Sequence, residues 1–321
     1  MPLNELSSRA IIGLYYKRLE QKTGMEWIEA ISNYFASDQE SETYKWLGQV
    51  PVMREWIGGR QAKGFSTNGL TIENKHFEGT LEINVKDLRR DKTGQIEVRV
   101  NEFADSTNSH WAQILSKLIV SGESTVCYDG QYFFDTDHVE GKSGVQSNKL
   151  QLDLTGFVDI IDGGKVGVAT SPSEAAFRLA VLKTIQQILS FKDDQGEPMN
   201  ENASKFLVMV PTSLWHIAKT ATAVPLSVGG STNAIKVLNE LDITVAQNPR
   251  LNWTDKFAVF RSDSAIKPFI RQEEEGVKLK AIAEGSELEF MHDKHHYGVD
   301  TWRNVGYGYW QHACQTKLIK S

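Results

Sequence analysis

The chain has 321 residues, of which 40% are hydrophobic and 24% are charged, and its formal net charge is −6. This composition is ordinary for a soluble globular protein, and the length is enough for two subdomains. The acidic balance argues against a protein whose main task is to grip nucleic acid, because such domains are usually basic. Neither a run of roughly 18 uninterrupted apolar residues nor a secretory signal is seen, so we expect a soluble chain that is not exported through a cleaved signal.

The N-terminal segment predicts two short helices. Apolar residues recur at helical spacing between Ile11 and Leu19, and Gly24 then interrupts the pattern. A second helix is predicted from Trp27 to Phe35. Neither helix has a wide apolar face, so we expect this arm to lie against another surface.

A half-buried strand follows, because apolar and polar residues alternate from Phe77 to Val85. Leu70 and Ile72 are its predicted partner, with the turn at residues 73–75. A long hairpin that is polar on one face is poorly stable alone in water, so it needs a partner surface.

The next element is a helix with a clear apolar stripe from Trp111 to Ile119, which begins near Ile96 at the earliest and ends at Gly122. Short strands and turns are predicted at residues 126–134, and a hairpin is predicted to close at residues 162–164.

A well-signalled helix is predicted to begin at Ser171, with Ser171 as the cap and Glu174 completing a capping box. A buried strand at residues 206–210 and a helix at residues 211–223 follow, and the alternation of strand and helix continues to about Phe260.

The C-terminal third predicts strands again. Residues 299–310 carry aromatic side chains on both faces of a strand, and residues 271–276 are interpreted as a charged turn. The predicted fold class is therefore α+β, with a mixed central subdomain between two stretches of long strands.

Two clusters contain the residue types that bind zinc, iron or manganese. One is Asp135, Asp137 and His138; the other is His292, Asp293, His295 and His296. Neither has a spacing that aims its side chains at one point, so solvated loops are the favoured interpretation.

Signals for nucleophilic or phosphate chemistry are weak. No Gly-x-Ser-x-Gly elbow occurs, Cys127 and Cys314 are interpreted as free buried thiols, and His216 is interpreted as a packed or surface residue. The glycine-rich segment 227–231 lacks a Walker lysine. We therefore predict no catalytic residue, no metal and no cofactor.

Several segments resemble the major head subunit family of Mu-like phages and prophages. The segments that carry the resemblance are residues 53–63, 71–78, 127–138, 248–251, 267–270, 297–300 and 304–311. The most specific of them is Cys-Tyr-Asp-Gly-Gln-Tyr-Phe-Phe-Asp-Thr-Asp-His, residues 127–138. Val139 stands where the family usually has proline, and Gly59 where glutamate is common.

The resemblance implies the Hong-Kong-97-type capsid fold, which has an N-arm, an extended hairpin called the E-loop, a spine helix, a P-domain and an A-domain. The expected divisions are an N-arm at 1–52, the E-loop at 53–95, the spine helix with the first part of the P-domain at 96–171, the A-domain at 172–260, and return strands of the P-domain at 261–321.

The resemblance also implies roles for particular residues. Intersubunit contacts are expected at Arg54, Glu55, Trp56, Arg60, Lys63, Glu73, Lys75 and Glu78. A structural role is expected for the family motif residues Tyr128, Asp129, Gly130, Phe133, Phe134, Asp135, Asp137 and His138.

The implied function is that of a shell subunit and not of an enzyme. Its implied partners are further copies of itself in hexamers and pentamers, a scaffold, a portal, decoration proteins and the enclosed double-stranded DNA, which is not bound by sequence; no membrane is involved. The implied location is the virion, assembled in the host bacterial cytoplasm. An encapsulin-like nanocompartment and a metal-dependent hydrolase are the alternatives.

Overall fold

A computed structural model describes residues 7–21, 26–45, 47, 69–91, 93–156, 167–223 and 241–320. The helices are α1 (Ser8–Leu19), α2 (Glu26–Ile31), α3 (Val85–Arg90), α4 (Gln95–Val120), α5 (Glu174–Leu189), α6 (Trp215–Ala223) and α7 (Glu287–His292). The strands are β1 (Ser32–Ala36), β2 (Ser41–Tyr44), β3 (Leu70–Glu73), β4 (Lys75–Asn84), β5 (Lys149–Asp153), β6 (Gly167–Val168), β7 (Ser171–Pro172), β8 (Lys205–Val210), β9 (Asp242–Gln247), β10 (Lys256–Arg261), β11 (Phe269–Ile282), β12 (Lys294–Tyr307) and β13 (Ala313–Ile319). The described helices include none that is long and apolar enough to cross a membrane.

One layer of the molecule is a four-stranded sheet in the order β1-β11-β12-β4. Strand β1 runs parallel to β11, and the other two pairings are antiparallel. Helices α1 and α4 pack on one face, where the alternation in β4 and β12 places the apolar side chains Ile83, Tyr297 and Val299 against Tyr15 and Val100. The other face carries exposed polar residues along β4, but at β11 it is covered by β2 and β3, which bury Ile270 and Gln272.

A second layer is a five-stranded sheet in the order β5-β13-β10-β8-β9. Its central strands β8 and β10 are apolar throughout their middle and almost entirely buried, because helices α5 and α6 pack against the sheet. Phe177 of α5 packs on Phe257 of β10, with ring centroids 5.0 Å apart. This larger core also takes in the second half of α4.

Helix α4 connects the two cores. Its 26 residues give a length of about 39 Å at 1.5 Å per residue. Val100 and Ala104 lie in the core under the four-stranded sheet, whereas Leu115 and Ile119 lie in the larger core. The side chain of Asp91 accepts hydrogen bonds from the first backbone N–H groups of the helix, which satisfies donors that the helix itself leaves unpaired.

Three local predictions are wrong. Strand β3 pairs with β2 and not with β4, whose partner is β12, because that distant pairing buries the apolar face of β4 under α1 and α4. Residues 271–276 lie inside strand β11 and are not a turn. Phe35, expected in a helix, lies in strand β1 beside β11.

The cap of α5 also differs from the prediction. Ser173 and not Ser171 is the N-cap, since its hydroxyl accepts a hydrogen bond from the backbone N–H of Ala176 at 3.2 Å. Ser171 and Pro172 form the short strand β7 instead. The other helices at residues 11–19, 96–120 and 211–223 were predicted correctly to within a few residues.

The C-terminal strand β13 lies in the five-stranded sheet, whereas the long strands β11 and β12 lie in the four-stranded sheet. It lies between β5 and β10 because its side chains, including Cys314 and Leu318, complete the core of that sheet. The predicted hairpin closing at 162–164 and the glycine-rich segment 227–231 lie outside the described residues.

Candidate functional site

The family motif folds into a compact turn directly after α4. The backbone N–H of Phe134 donates to Gly122 O at 2.9 Å, and the N–H of Cys127 donates to Gln131 O at 2.8 Å. Gly130 has φ +88°, a conformation that glycine adopts without strain. The strands predicted here reduce to a single bridge between residues 126 and 132. Tight turning of the backbone therefore replaces strand pairing in this segment.

The two motif phenylalanines anchor this turn in the larger core. Phe133 stacks on Tyr307 with ring centroids 4.5 Å apart, and Phe134 meets Phe133 edge to face at 4.9 Å. Both are fully buried. A Cβ atom added at Gly122 would lie 2.6 Å from the Phe134 ring, so glycine at this position lets the motif approach the end of α4.

Asp129 and His138 form a buried polar pair within the motif. His138 Nδ1 lies 2.6 Å from Asp129 Oδ2, and the two side chains are 0% and 3% exposed. His138 Nε2 lies 3.2 Å from Asn148 Oδ1, whose role as an acceptor is fixed by the N–H of Asp135 at 2.9 Å. Both ring nitrogens face acceptor oxygens, so hydrogen bonding within the motif fixes the orientation of the imidazole.

The same ring lies flat against Trp310 from the far end of the chain, with centroids 4.0 Å apart and planes 11° apart. Trp310 Nε1 donates to Glu140 Oε1 at 3.0 Å, and Gln311 Nε2 donates to the same oxygen at 3.0 Å. The hydroxyl of Tyr128 also donates to Glu140. Motif residues thus fasten the segment after α4 to the connection between β12 and β13.

Burial and hydrogen bonding act in opposite directions on the two carboxyl groups. Burial raises the pKa of Asp129, but hydrogen bonds from His138 and Cys127 outweigh it, and the pKa lies below its ordinary value. At Glu140 burial dominates and raises the pKa of the carboxyl despite the hydrogen bonds that it accepts. Asp129 is therefore held as a carboxylate, whereas Glu140 favours the protonated form more than a free glutamate does.

The residues Asp135, Asp137 and His138, weighed as metal ligands in the sequence, are not brought together. The carboxylate of Asp135 accepts from the backbone N–H groups of residues 132 and 136, and Asp137 is exposed. Instead, ligand atoms of Cys127, Asp129 and His138 lie within 4.8 Å of one another. Cys127 Sγ donates to Asp129 Oδ1 at 2.9 Å. Burial raises the pKa of this thiol, so it stays protonated and the cluster is satisfied by its own hydrogen bonds.

The second histidine cluster is divided between the faces of β12. His295 points inward, with Nε2 3.4 Å from Glu289 Oε1, whereas His296 points outward and lies 3.0 Å from Glu82 Oε2. The alternation of a strand separates neighbouring side chains in this way. His216 is exposed on α6.

A cleft of about 600 Å³ is lined by residues of the N-terminal helices, of α4 and of the four-stranded sheet. In it the guanidinium of Arg303 lies 4.6 Å, and that of Arg271 5.6 Å, from the centre of the Trp111 ring. Arg303 Nε also donates to His110 Nδ1 at 3.0 Å. These cation–π contacts hold strands β11 and β12 of the four-stranded sheet against α4.

The expected intersubunit residues divide into two groups. Glu73, Lys75 and Glu78 lie exposed on β3 and β4. The remaining five, Arg54, Glu55, Trp56, Arg60 and Lys63, lie outside the described residues.

Sequence reasoning missed Glu140 and Asn148, the hydrogen-bond partners of the motif, for which only their position shortly after the motif gave a signal. It also missed the exposed pair Phe290 and Met291, although an apolar pair in a polar segment was a readable signal.

The sequence was compared with protein-family models and with known proteins. The family model described as "Mu-like prophage major head subunit gpT" matches residues 12–159 and 242–319. A Mu-like prophage FluMu major head subunit from Haemophilus influenzae is 26% identical over 291 residues, covering 90% of this chain and 66% of its own length. The major capsid protein of Escherichia phage Mu is 37% identical over 102 residues, 32% of this chain and 33% of its own length. The chain therefore spans less than two thirds of either relative.

Solved structures with a similar fold include phage capsid proteins. The subunit of the bacteriophage JBD30 procapsid matches 96% of this chain and 74% of its own, with a TM-score of 0.54 and 23% identity. The capsid subunit of cyanophage P-SCSP1u matches 90% of this chain and 87% of its own, with a TM-score of 0.54 and 9% identity. The fold is thus of the Hong-Kong-97 type, as the sequence predicted, and the chain belongs to the family of Mu-like prophage major head subunits.

Proposed function

We propose that the chain is a shell-building subunit that assembles through hexamers and pentamers into an icosahedral head around double-stranded DNA. The observation that carries this proposal is the family match, because residues 12–159 and 242–319 include strands of both sheets and the whole of α4. A match of this extent includes the architecture and the buried motif together, and does not depend on one short pattern.

The parts of the fold would divide the work of assembly as follows. Residues 1–52 would act as the N-arm, 53–95 as the E-loop, 96–171 as the spine helix and first part of the P-domain, 172–260 as the A-domain, and 261–321 as return strands. The antiparallel ladder of β2 with β3 supports a hairpin connection here, because the two paired strands flank residues 45–69 in the chain. On this ladder the hairpin begins earlier in the chain than residue 53.

Surface features support association with further copies. Among the described strands, β4 forms an outer edge of the four-stranded sheet, and its exposed backbone groups and charged residues are of the kind that native proteins cover or keep polar. Lys75 and Glu78 would contribute charged contacts at this edge, and Glu73 would contribute one from β3, together with the five expected residues from Arg54 to Lys63. Such contacts set register and specificity more than affinity.

The remaining partners follow from the proposed role. A scaffold, a portal and decoration proteins would contact the shell, which would be a virion component assembled in the host bacterial cytoplasm. The net charge of −6 suits a lining that encloses DNA without holding it tightly. The chain would have no enzymatic activity, and the buried, hydrogen-bonded state of His138 supports a structural role for the motif.

Electron microscopy of the purified protein over a range of concentrations tests the proposal, alongside its size-exclusion profile. Rings of five or six subunits, closed shells or tubes are the expected result. Particles that contain a copurifying enzyme and no DNA would favour a nanocompartment instead. A monomer with stoichiometric bound metal, and hydrolytic activity lost on chelation, would overturn the proposal.

A further inference from the structure

Helix α7 lies at the end of the four-stranded sheet where β11 turns back into β12, and it presents apolar side chains to the outside. Phe290 is 88% exposed, the highest value for a large hydrophobic residue in the described part of the chain, and Met291 is 63% exposed. Ile282, at the end of β11, is 55% exposed. Single exposed apolar residues are ordinary, but a group of them at one tip marks a contact surface.

The tip is ordered by its own hydrogen bonds. The hydroxyl of Ser286 caps α7 by accepting from the N–H of Glu289 at 3.2 Å, and the N–H of Gly285 donates to Glu289 Oε2 at 2.6 Å. Asp293 ends the helix in a left-handed conformation with φ 58°. Phe290 and Met291 are therefore presented by a fixed turn, so burying them costs little backbone ordering.

A helix of opposite charge lies directly beside the tip. The N–H of Val85, the first residue of α3, donates to Asp293 O at 2.9 Å, and Lys86 Nζ lies 3.4 Å from Asp293 Oδ2. The exposed charged residues of α3 are mainly basic, with Lys86, Arg89 and Arg90, whereas those of the tip are acidic, with Glu284, Glu287 and Asp293. One end of the four-stranded sheet thus carries two neighbouring surfaces. The acidic and apolar surface on α7 is called the knob, and the basic surface on α3 is called the seat.

We propose that this end is a contact between copies of the chain, in which α7 of one copy packs Phe290 and Met291 against α3 of another. The inference rests on the proposed shell function and assigns one of its interfaces. Because knob and seat lie side by side on one chain, two copies that meet by this end bring acidic residues against basic ones in both directions. That self-complementarity selects a second copy as the occupant.

Substitution of the knob tests the contact. Phe290→Asp is expected to raise the protein concentration needed for particle formation at least tenfold, measured by sedimentation velocity and electron microscopy. Val145→Asp is the matched control, because Val145 is 72% exposed and lies away from the tip, and it should assemble like the unaltered chain. Unchanged circular dichroism and melting temperature of the monomer show that the Phe290 variant folds.

The outcomes separate this inference from the function on which it rests. Particles from the unaltered chain and equally good particles from Phe290→Asp overturn the contact and leave the shell function standing. An unaltered chain that remains monomeric at every concentration, and that carries stoichiometric metal with hydrolytic activity lost on chelation, overturns the shell function itself.

Charge exchange and crosslinking test the seat. Arg90→Glu and Glu287→Arg are each expected to weaken assembly severalfold, and the double variant should recover most of the loss. A disulfide should also form between Glu287→Cys copies and Arg90→Cys copies in mixed particles, since the native cysteines are buried and do not compete. Mixed particles without this crosslink, together with a double variant as weak as the single ones, would exclude α3 as the seat.

Discussion

Removal of the Asp129 carboxylate is the sharpest test of the role assigned to the family motif. This side chain lies 2.6 Å from His138 Nδ1, also accepts from Cys127 Sγ at 2.9 Å and from the N–H of Gln131 at 3.1 Å, and is 3% exposed. In Asp129→Ala all three donors lose their acceptor in a site that water does not reach. Each orphaned buried donor costs about 1–3 kcal/mol, towards the upper end when the lost acceptor was a carboxylate.

These contributions overlap, so we expect Asp129→Ala to lower the free energy of unfolding by about 4 kcal/mol in total. Asp129→Asn should cost less, about 2 kcal/mol, because the amide keeps an acceptor for Gln131 and a neutral His138 can accept from its NH₂ group. The assay is equilibrium urea denaturation of the unassembled chain, followed by tryptophan fluorescence, which senses Trp310 against the His138 ring. Asp137→Ala, an exposed neighbour, should change stability by about 0.5 kcal/mol or less.

The pH dependence has a definite sign. The pKa of Asp129 is lower in the folded chain than its ordinary value of 3.8, so its carboxylate stabilises the fold above that value and the contribution is lost as the pH falls through the folded pKa. The difference between the unaltered chain and Asp129→Asn should therefore shrink in acid. A cost below about 1 kcal/mol for Asp129→Ala, or a difference that grows below pH 3.8, would refute this account of the motif.

Three further outcomes follow from the buried cores. Gly122→Ala should lower the unfolding free energy by about 1–3 kcal/mol in the same denaturation assay, because the added Cβ would lie 2.6 Å from the Phe134 ring. The pKa of Glu140 is raised in the folded chain, so the free energy of unfolding should fall as the pH rises from 4.5 through the folded pKa. Glu140→Gln should remove that decline from a plot of unfolding free energy against pH. Cys127 and Cys314 are buried with raised thiol pKa values, so a thiol reagent such as a disulfide chromogen should react with neither until the chain unfolds; rapid reaction of the native protein would contradict this packing.

Local patterns predicted the elements that depend on neighbouring residues. The stripe from Trp111 to Ile119 identified α4, because helical spacing places those side chains on one face whatever they pack against. The run from Phe206 to Val210 likewise identified β8. The family resemblance, carried by residue identities and not by periodicity, predicted the fold class that the capsid structures share.

Pairing between distant strands was beyond local reasoning. Alternation in β4 predicted a strand but not its partner, and the nearest candidate, β3, pairs with β2 instead. The run 271–276 was interpreted as a turn because it is charged. Its partner strands β1 and β12 are not adjacent to it in the sequence, so the local pattern gave no sign of strand pairing. Polar residues inside a strand are satisfied only by such distant partners, as when Gln272 donates to Asn74 Oδ1 at 2.9 Å.

The sequence by itself determined the helices α1, α4, α5 and α6 to within a few residues, the alternating strand β4, the family and the motif residues at 127–138. Only the tertiary structure decided what the motif does. His138 bonds Asn148, ten residues further along the chain, and stacks on Trp310, which comes from the far C-terminal part of the chain. Likewise, the 88% exposure of Phe290 depends on what the rest of the chain leaves uncovered. Spacing along the chain specifies which side chains share a face, whereas burial and partnership depend on the surfaces that folding brings against that face.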